Sequence, residues 1–192
     1  DSYASQNADG MSLFWCSAST NLFDLAGNTV KKNVNIDGSE SSVEVSAPSD
    51  TNFFVYWDGD LSRELLDKTR IDKYTVDNGT QRLENFQDVH SNNGTKATPA
   101  LCADLFGDWR EEVAFGTSDD TALRIYTTTD PTEYKLTTLM HDTQYRESVA
   151  WQNVGYNQPT HLSYYVGSAS LAQGKNYLAP KSGFDSVYYP IT

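Results

Sequence analysis

The sequence predicts an all-β chain built from propeller-type blades, and three observations carry that prediction. No long stretch repeats apolar residues at helical spacing. Short β-branched and aromatic runs recur instead, separated by turn residues. A Gly-Asp turn also returns, at Gly59-Asp60 and again 48 positions on at Gly107-Asp108.

In chain order the candidate strands are 12–16, 43–45, 52–57, 73–76, 112–115, 123–127 and 162–166. Between them lie Ala26-Gly27-Asn28, Asp37-Gly38, Asp77-Asn78-Gly79 and Asn92-Asn93-Gly94. Asn and Gly tolerate positive φ, so these are turn and hairpin residues. Only 61–68 reads as a short helical turn, and 177–190 reads as an extended closing segment. No Pro-, Gly- or Ser-rich linker divides residues 1–192, so they are expected to belong to a single domain.

The repeat aligns Asp58-Gly59-Asp60-Leu61-Ser62-Arg63-Glu64-Leu65 with Phe106-Gly107-Asp108-Trp109-Arg110-Glu111-Glu112-Val113. A period of roughly 40–50 residues is that of four-stranded propeller blades, which gives this chain about four. Two acidic turns can also look alike without sharing a fold.

Lys and Arg number 14 against 26 Asp and Glu, a formal net charge of -12. Such a balance disfavours nucleic acid as a partner, whose binders carry basic faces. It also repels polyanions unless metal ions or a local basic cluster reverse the field. No run approaches 18 apolar residues, so no membrane-spanning helix is expected. Cys16 and Cys102 are the only cysteines, at no metal-type spacing, and either a single disulfide or two free thiols fits them.

Three segments carry candidate chemistry. Asp104, Asp108 and Glu112 follow one another at calcium-loop spacing around Gly107, and Asp58, Asp60 and Glu64 do so around Gly59. Calcium takes six to eight hard oxygens from a tightly curled loop. Each loop lacks one acidic position, filled by Phe106 and Tyr56, and pairing with Arg110 and Arg63 is the competing reading. The second segment sets Lys96 at the end of the polar turn Asn93-Gly94-Thr95, where an amine can neutralise a carboxylate or accept a proton. A solvated turn lysine is the plainer alternative. The third segment, 151–161, mixes Trp151 and Tyr156 with amides such as Asn157. Rings pack on sugar C–H faces and amides bind hydroxyls, though core packing also uses such rings.

Several of these runs, among them Gly107-Asp108-Trp109-Arg110-Glu111-Glu112, Asn93-Gly94-Thr95-Lys96 and Gly155-Tyr156-Asn157-Gln158-Pro159, keep their order along the chain. Together they resemble polysaccharide lyase family 11, the rhamnogalacturonan lyases, over roughly residues 12–190. The resemblance implies an eight-bladed β-propeller holding several calcium ions, with this chain supplying its C-terminal four blades or fewer. The implied activity is cleavage of the rhamnogalacturonan I backbone of pectin by β-elimination at galacturonate, leaving an unsaturated uronate end. Lys96 and Tyr156 would then be catalytic, and Asn93, Gly94, Thr95 and Asn157 would bind substrate. Secretion follows from a polymeric substrate of that kind.

The resemblance also implies a cleft arginine upstream, and the chain has no arginine before Arg63. That role and the N-terminal blades are expected to come from the remainder of the same propeller, without which this portion would be inactive. A non-catalytic, calcium-braced carbohydrate-binding fragment is the alternative function.

Overall fold

The structure is a computed structural model, and it describes residues 2–6, 12–50, 52–155, 157–164 and 166. Strands β1 (Ser2–Gln6), β2 (Ser12–Cys16) and β3 (Phe23–Asp24) make an antiparallel three-stranded sheet. β4 (Lys31–Ile36) and β5 (Ser39–Glu44) form a separate hairpin. A four-stranded meander follows, of β6 (Phe53–Val55), β7 (Glu64–Asp67), β8 (Arg70–Thr75) and β9 (Gly79–Asn85). The last sheet holds β10 (Val89–His90), β11 (Leu101–Ala103), β12 (Glu112–Thr117) and β13 (Leu123–Tyr126). A 3-10 turn at Leu139–His141 then leads into helix α1 (Thr143–Trp151). The all-β class therefore holds, with one short helix added. No helix among the described residues is long and apolar enough to cross a membrane.

The turn chemistry works as expected. Ile36 faces Ser39, which leaves Asp37 and Gly38 as the two-residue connection, at φ 52° and 83°. Two successive positive φ values are what a type I′ hairpin needs, and an Asp-Gly pair supplies them at low cost. Thr75 faces Gly79 at φ 68°, which closes the β8–β9 hairpin.

Two expectations are corrected. Residues 61–68 are not helical: they bend and then enter β7, because Leu65 and Leu66 are taken up by the β6 and β8 ladders. No strand lies among the described residues of 162–166, where Leu162 and Val166 pack against Leu139 and Tyr145. Helix α1 was not foreseen. Its signal was the N-cap, where the Asp142 side chain accepts from the Tyr145 N–H at 3.2 Å.

Strands β6, β7 and β8 of the meander alternate between two buried clusters, while β9 is largely exposed. Phe54, Leu65 and Tyr74 point to Leu13 and Trp15 of the β1–β3 sheet and to Leu22 just before β3. Phe53, Val55, Leu66 and Ile71 point the other way, to Val113 and Phe115 of the following sheet. Period-2 alternation thus packs the meander between the β1–β3 and β10–β13 sheets. Cys16 and Cys102 are both free, and burial pushes the Cys102 thiol well up.

The repeat seen in sequence is a repeat in structure. Phe53↔Leu66 and Val55↔Glu64 in one hairpin match Leu101↔Ala114 and Ala103↔Glu112 in the other, 48 positions along. The amides of Trp57 and Asp58 donate to Glu64 Oε2, at 2.8 and 3.3 Å. Those of Leu105 and Phe106 donate to Glu112 Oε2, at 2.8 and 3.0 Å. Gly59 and Gly107 sit at φ 89° and 79° in the two turns, where any side chain would be strained.

One equivalent pair joins the two copies. Arg63 of the first turn donates to Glu111 of the second at 3.4 Å, and the carboxylate of Glu111 is fully buried. Glu111 also accepts from the Tyr56 N–H at 2.9 Å, from the Tyr145 hydroxyl at 2.7 Å and from the Thr160 hydroxyl. Removing one partner of a buried ion pair leaves the other uncompensated, at a cost of about 3–5 kcal/mol. Arg63→Ala is therefore expected to lower unfolding free energy by about 3–5 kcal/mol in a urea titration, whereas Arg124→Ala, on exposed β13, should change it little.

Candidate active-site loop and acidic turns

β10 and β11 occupy one row. β12 pairs β13 along one edge, and along the other it pairs β11 at residues 112–114 and β10 at 116–117. Residues 91–100 are thus an excursion from the middle of an edge strand, and this excursion carries Lys96. It folds on itself: the Asn92 N–H donates to Thr98 O at 2.9 Å, the Lys96 N–H to Asn93 Oδ1 at 2.6 Å and the Thr98 N–H to Lys96 O at 2.7 Å. Asn93, Gly94 and Thr95 are exposed at its tip, and the Lys96 side chain is half-buried. The Asn93-Gly94-Thr95-Lys96 turn is accordingly presented outward on a rigid sheet. Tyr156 lies outside the described residues.

The amides of 152–157 do something the sequence did not reveal. The Gln152 side chain pairs with both backbone groups of Cys102, accepting from its N–H at 2.9 Å and donating to its C=O at 2.6 Å. Asn153, at φ 64°, donates to Ala100 O and accepts from Asn92. Asn157 donates to Pro99 O at 2.9 Å and to Asn153 Oδ1 at 3.1 Å, and its side chain is buried. These three amides act as a side-chain continuation of the sheet, pinning the base of the Lys96 loop. The nitrogen of Asn157 is engaged by the protein, and its Oδ1 has no partner among the described residues.

Beside the loop base, a cavity of about 370 Å³ is lined by His90, Asn92, Gly116, Asp120 and Thr121. His90 Nε2 lies 2.8 Å from Asp120 Oδ1, and the Ser91 carbonyl together with Asp120 holds the imidazole above the ordinary histidine value. A Cβ on Gly116 would come within 2.8 Å of His90 Nε2, so glycine is what lets the ring lie there. Sequence spacing hid this pair, since the two residues stand 30 apart and meet through the β10–β12 ladder.

The acidic turns differ from one another. Asp58, Asp60 and Glu64 converge, with oxygens within 4.8 Å of one another, and among the described residues no other three carboxylates do so. The Lys73 ammonium lies among them, donating to Asp58 Oδ2, to Asp60 Oδ2 at 2.5 Å and to Glu64 Oε1 at 3.3 Å. Burial raises the Glu64 carboxyl and Asp58 adds to it, with Lys73 opposing. Burial also works against the Lys73 charge, but Glu64, Asp58 and Asp60 outweigh it and hold the amine above its usual value. The three hard oxygens, already gathered round a cation, suit calcium.

In the second turn the carboxylates are separately engaged. Asp104 accepts from the Gly107 N–H at 2.8 Å, the Leu139 N–H at 2.7 Å and the Thr138 hydroxyl at 2.7 Å. Asp108 pairs with Arg110 at 2.5 Å. Glu112 takes the two turn amides and the Thr127 hydroxyl. Burial raises the Asp104 and Glu112 carboxyls, and these hydrogen bonds oppose it.

The family model described as "Rhamnogalacturonan lyase family 11, C-terminal domain" matches residues 7–175. The chain belongs to that family. It is 57% identical over 129 residues to the rhamnogalacturonan endolyase YesW of Bacillus subtilis (strain 168), covering 67% of this chain and 21% of that protein. To the rhamnogalacturonan exolyase YesX of the same strain it is 53% identical over 132 residues, covering 64% and 21%. The crystal structure of YesW superposes at a TM-score of 0.73 with 45% identity, over 86% of this chain and 26% of that one. The Bacillus licheniformis rhamnogalacturonan lyase PL11 gives the same TM-score, identity and coverage. This family-11 chain therefore spans about a fifth of the length of the curated relatives it matches.

Gln152→Ala in this family-11 domain is expected to leave the Cys102 backbone pair unmet, at about 1–3 kcal/mol. Hydrogen exchange at the Cys102 amide should quicken in parallel with that loss of stability.

Proposed function

We propose that the protein is a rhamnogalacturonan lyase, to which this chain contributes the C-terminal part of a β-propeller catalytic domain. The observation that supports it is the family-11 match across 7–175, which includes the outward-facing Asn93-Gly94-Thr95-Lys96 loop. In this reading the substrate is the rhamnogalacturonan I backbone of pectin, cut by β-elimination at galacturonate. A base removes the C5 proton of the uronate, the C4–O4 bond of the same residue breaks, O4 departs with the rhamnose and takes up a proton, and a C4=C5 unsaturated uronate remains.

Proton loss beside a carboxylate builds negative charge on it, so a cation held there lowers the barrier. Lys96 is assigned that neutralising or proton-accepting role, Tyr156 that of proton donor or sugar contact, and Asn93, Gly94 and Thr95 the binding of sugar. Asn157 is assigned to the same site through the loop it pins. Calcium is the proposed cofactor. Asp58, Asp60 and Glu64 are the residues that would hold it here, and Asp104, Asp108 and Glu112 form the second proposed set. A bound calcium supplies positive charge that lets an acidic protein approach a polyanion. The remaining blades come from the rest of the propeller, and the enzyme acts outside the cell, where its polymer is.

The test is ultraviolet absorbance of the unsaturated product when the purified protein meets rhamnogalacturonan. Product should form and stop forming in chelator. Lys96→Ala should lower kcat by about a hundredfold or more with an unchanged far-UV spectrum. Binding of the polymer without any unsaturated product would replace this reading with that of a carbohydrate-binding protein.

A further inference from the structure

The two copies of the hairpin turn are a natural pair for comparison, because one register describes both. Carrying the β7–β8 pairing of Leu65↔Asp72 one residue on sets Lys73 beside Glu64. Carrying the β12–β13 pairing of Val113↔Tyr126 one residue on sets Thr127 beside Glu112. Lys73 and Thr127 are therefore equivalent, and each donates to the buried glutamate beside it, at 3.3 and 3.0 Å. The first turn has Asp58 where the second has Phe106. A carboxylate at this position and an ammonium thus occur together in one copy and are both missing from the other, whose third carboxylate is Asp104, at the position of Tyr56.

We propose that the Lys73 ammonium is a tethered placeholder for the calcium ion of the first acidic turn. It holds Asp58, Asp60 and Glu64 together when no ion is bound, and it leaves when calcium enters. Three carboxylates this close repel one another unless a cation lies between them. An ammonium has three donors, and here they reach three carboxylates. It is also a compact charge on a flexible four-carbon stem, so it can swing out without moving the backbone. The way out is open: the side chains of Lys73 and Asp60 are 20% and 42% exposed. A divalent ion then replaces one positive charge with two and takes the hard oxygens it prefers. The second turn needs no such device, since its carboxylates are met by Arg110, Thr127, Thr138 and backbone amides.

The inference rests on the calcium part of the proposed function and not on lyase activity. Its readouts are melting temperature and calcium binding, so an inactive protein that met them would remove the lyase reading and leave this one standing. Lys73→Gln should melt several degrees below the wild type in chelator, and saturating calcium should close that gap. Calorimetric titration should show calcium binding at this turn tightened by about tenfold or more, because the competing charge is gone. Asp58→Asn in the wild-type background should abolish one equivalent of bound calcium while leaving the melting temperature in chelator unchanged or higher.

A gap that persists undiminished in calcium would make Lys73 a fixed ion-pair partner and overturn the proposal. So would the absence of any gap in chelator. If Lys73→Gln does not fold, Asp58→Asn decides alone: an unchanged calcium count means no ion enters this turn.

Discussion

The carboxylate of Glu111 has no access to water, and much of the molecule is arranged around satisfying it. Burying a charge is unfavourable unless it is paired and hydrogen-bonded. Arg63, the Tyr56 amide and the hydroxyls of Tyr145 and Thr160 together meet that requirement. These partners come from the first turn, from helix α1 and from the segment after it. A single buried anion thereby fixes the spacing of two hairpins and seats the only helix among the described residues against them. The Tyr145 hydroxyl also accepts from the Asp104 N–H at 2.9 Å, so the second acidic turn is tied into the same network.

From that anchor the rest follows in layers. Strands β6 and β7 of the meander are covered on both faces by its neighbours and carry apolar side chains on both sides. The loop with Lys96 then stands on a framework whose far side is a packed core, and the amides of Gln152, Asn153 and Asn157 close its base. The catalytic role proposed for Lys96 requires rigid support, because small displacements are costly for chemistry. Here the support is backbone pairing by side-chain amides rather than an additional strand.

What the sequence could reveal was whatever is encoded locally. The Asp37-Gly38 hairpin, the limits of β2 and the 48-residue return of Gly-Asp were all readable, since turn conformation and period-2 alternation depend on near neighbours. Helix α1 was not, because its buried face amounts to Tyr145 and Ser148 and gives almost no apolar periodicity. Residues 162–166 looked like a strand by composition, but Leu162, Tyr164 and Val166 pack into a core cluster with no ladder partner among the described residues. In the site, the acidic turns announced themselves through glycine. The lysine that fills one of them did not, because only strand register brings Lys73 beside Glu64. The amides near Tyr156 suggested sugar contacts. The structure occupies the nitrogens of Gln152, Asn153 and Asn157 with backbone or neighbouring amides, a use that no spacing in the chain discloses.

The split row of β10 and β11 bears on how such a protein can change. Both ends of the 91–100 excursion are held in ladders with β12, so the sheet, not the loop, fixes their separation. For a flexible loop closed in that way, doubling its length costs only about 0.6 kcal/mol. Mutation can therefore lengthen, shorten or rewrite the tip without shifting the register of any strand. Change at this one interruption would alter the chemistry proposed for Lys96 while leaving the folded scaffold almost undisturbed, so here function can be lost or gained without the fold.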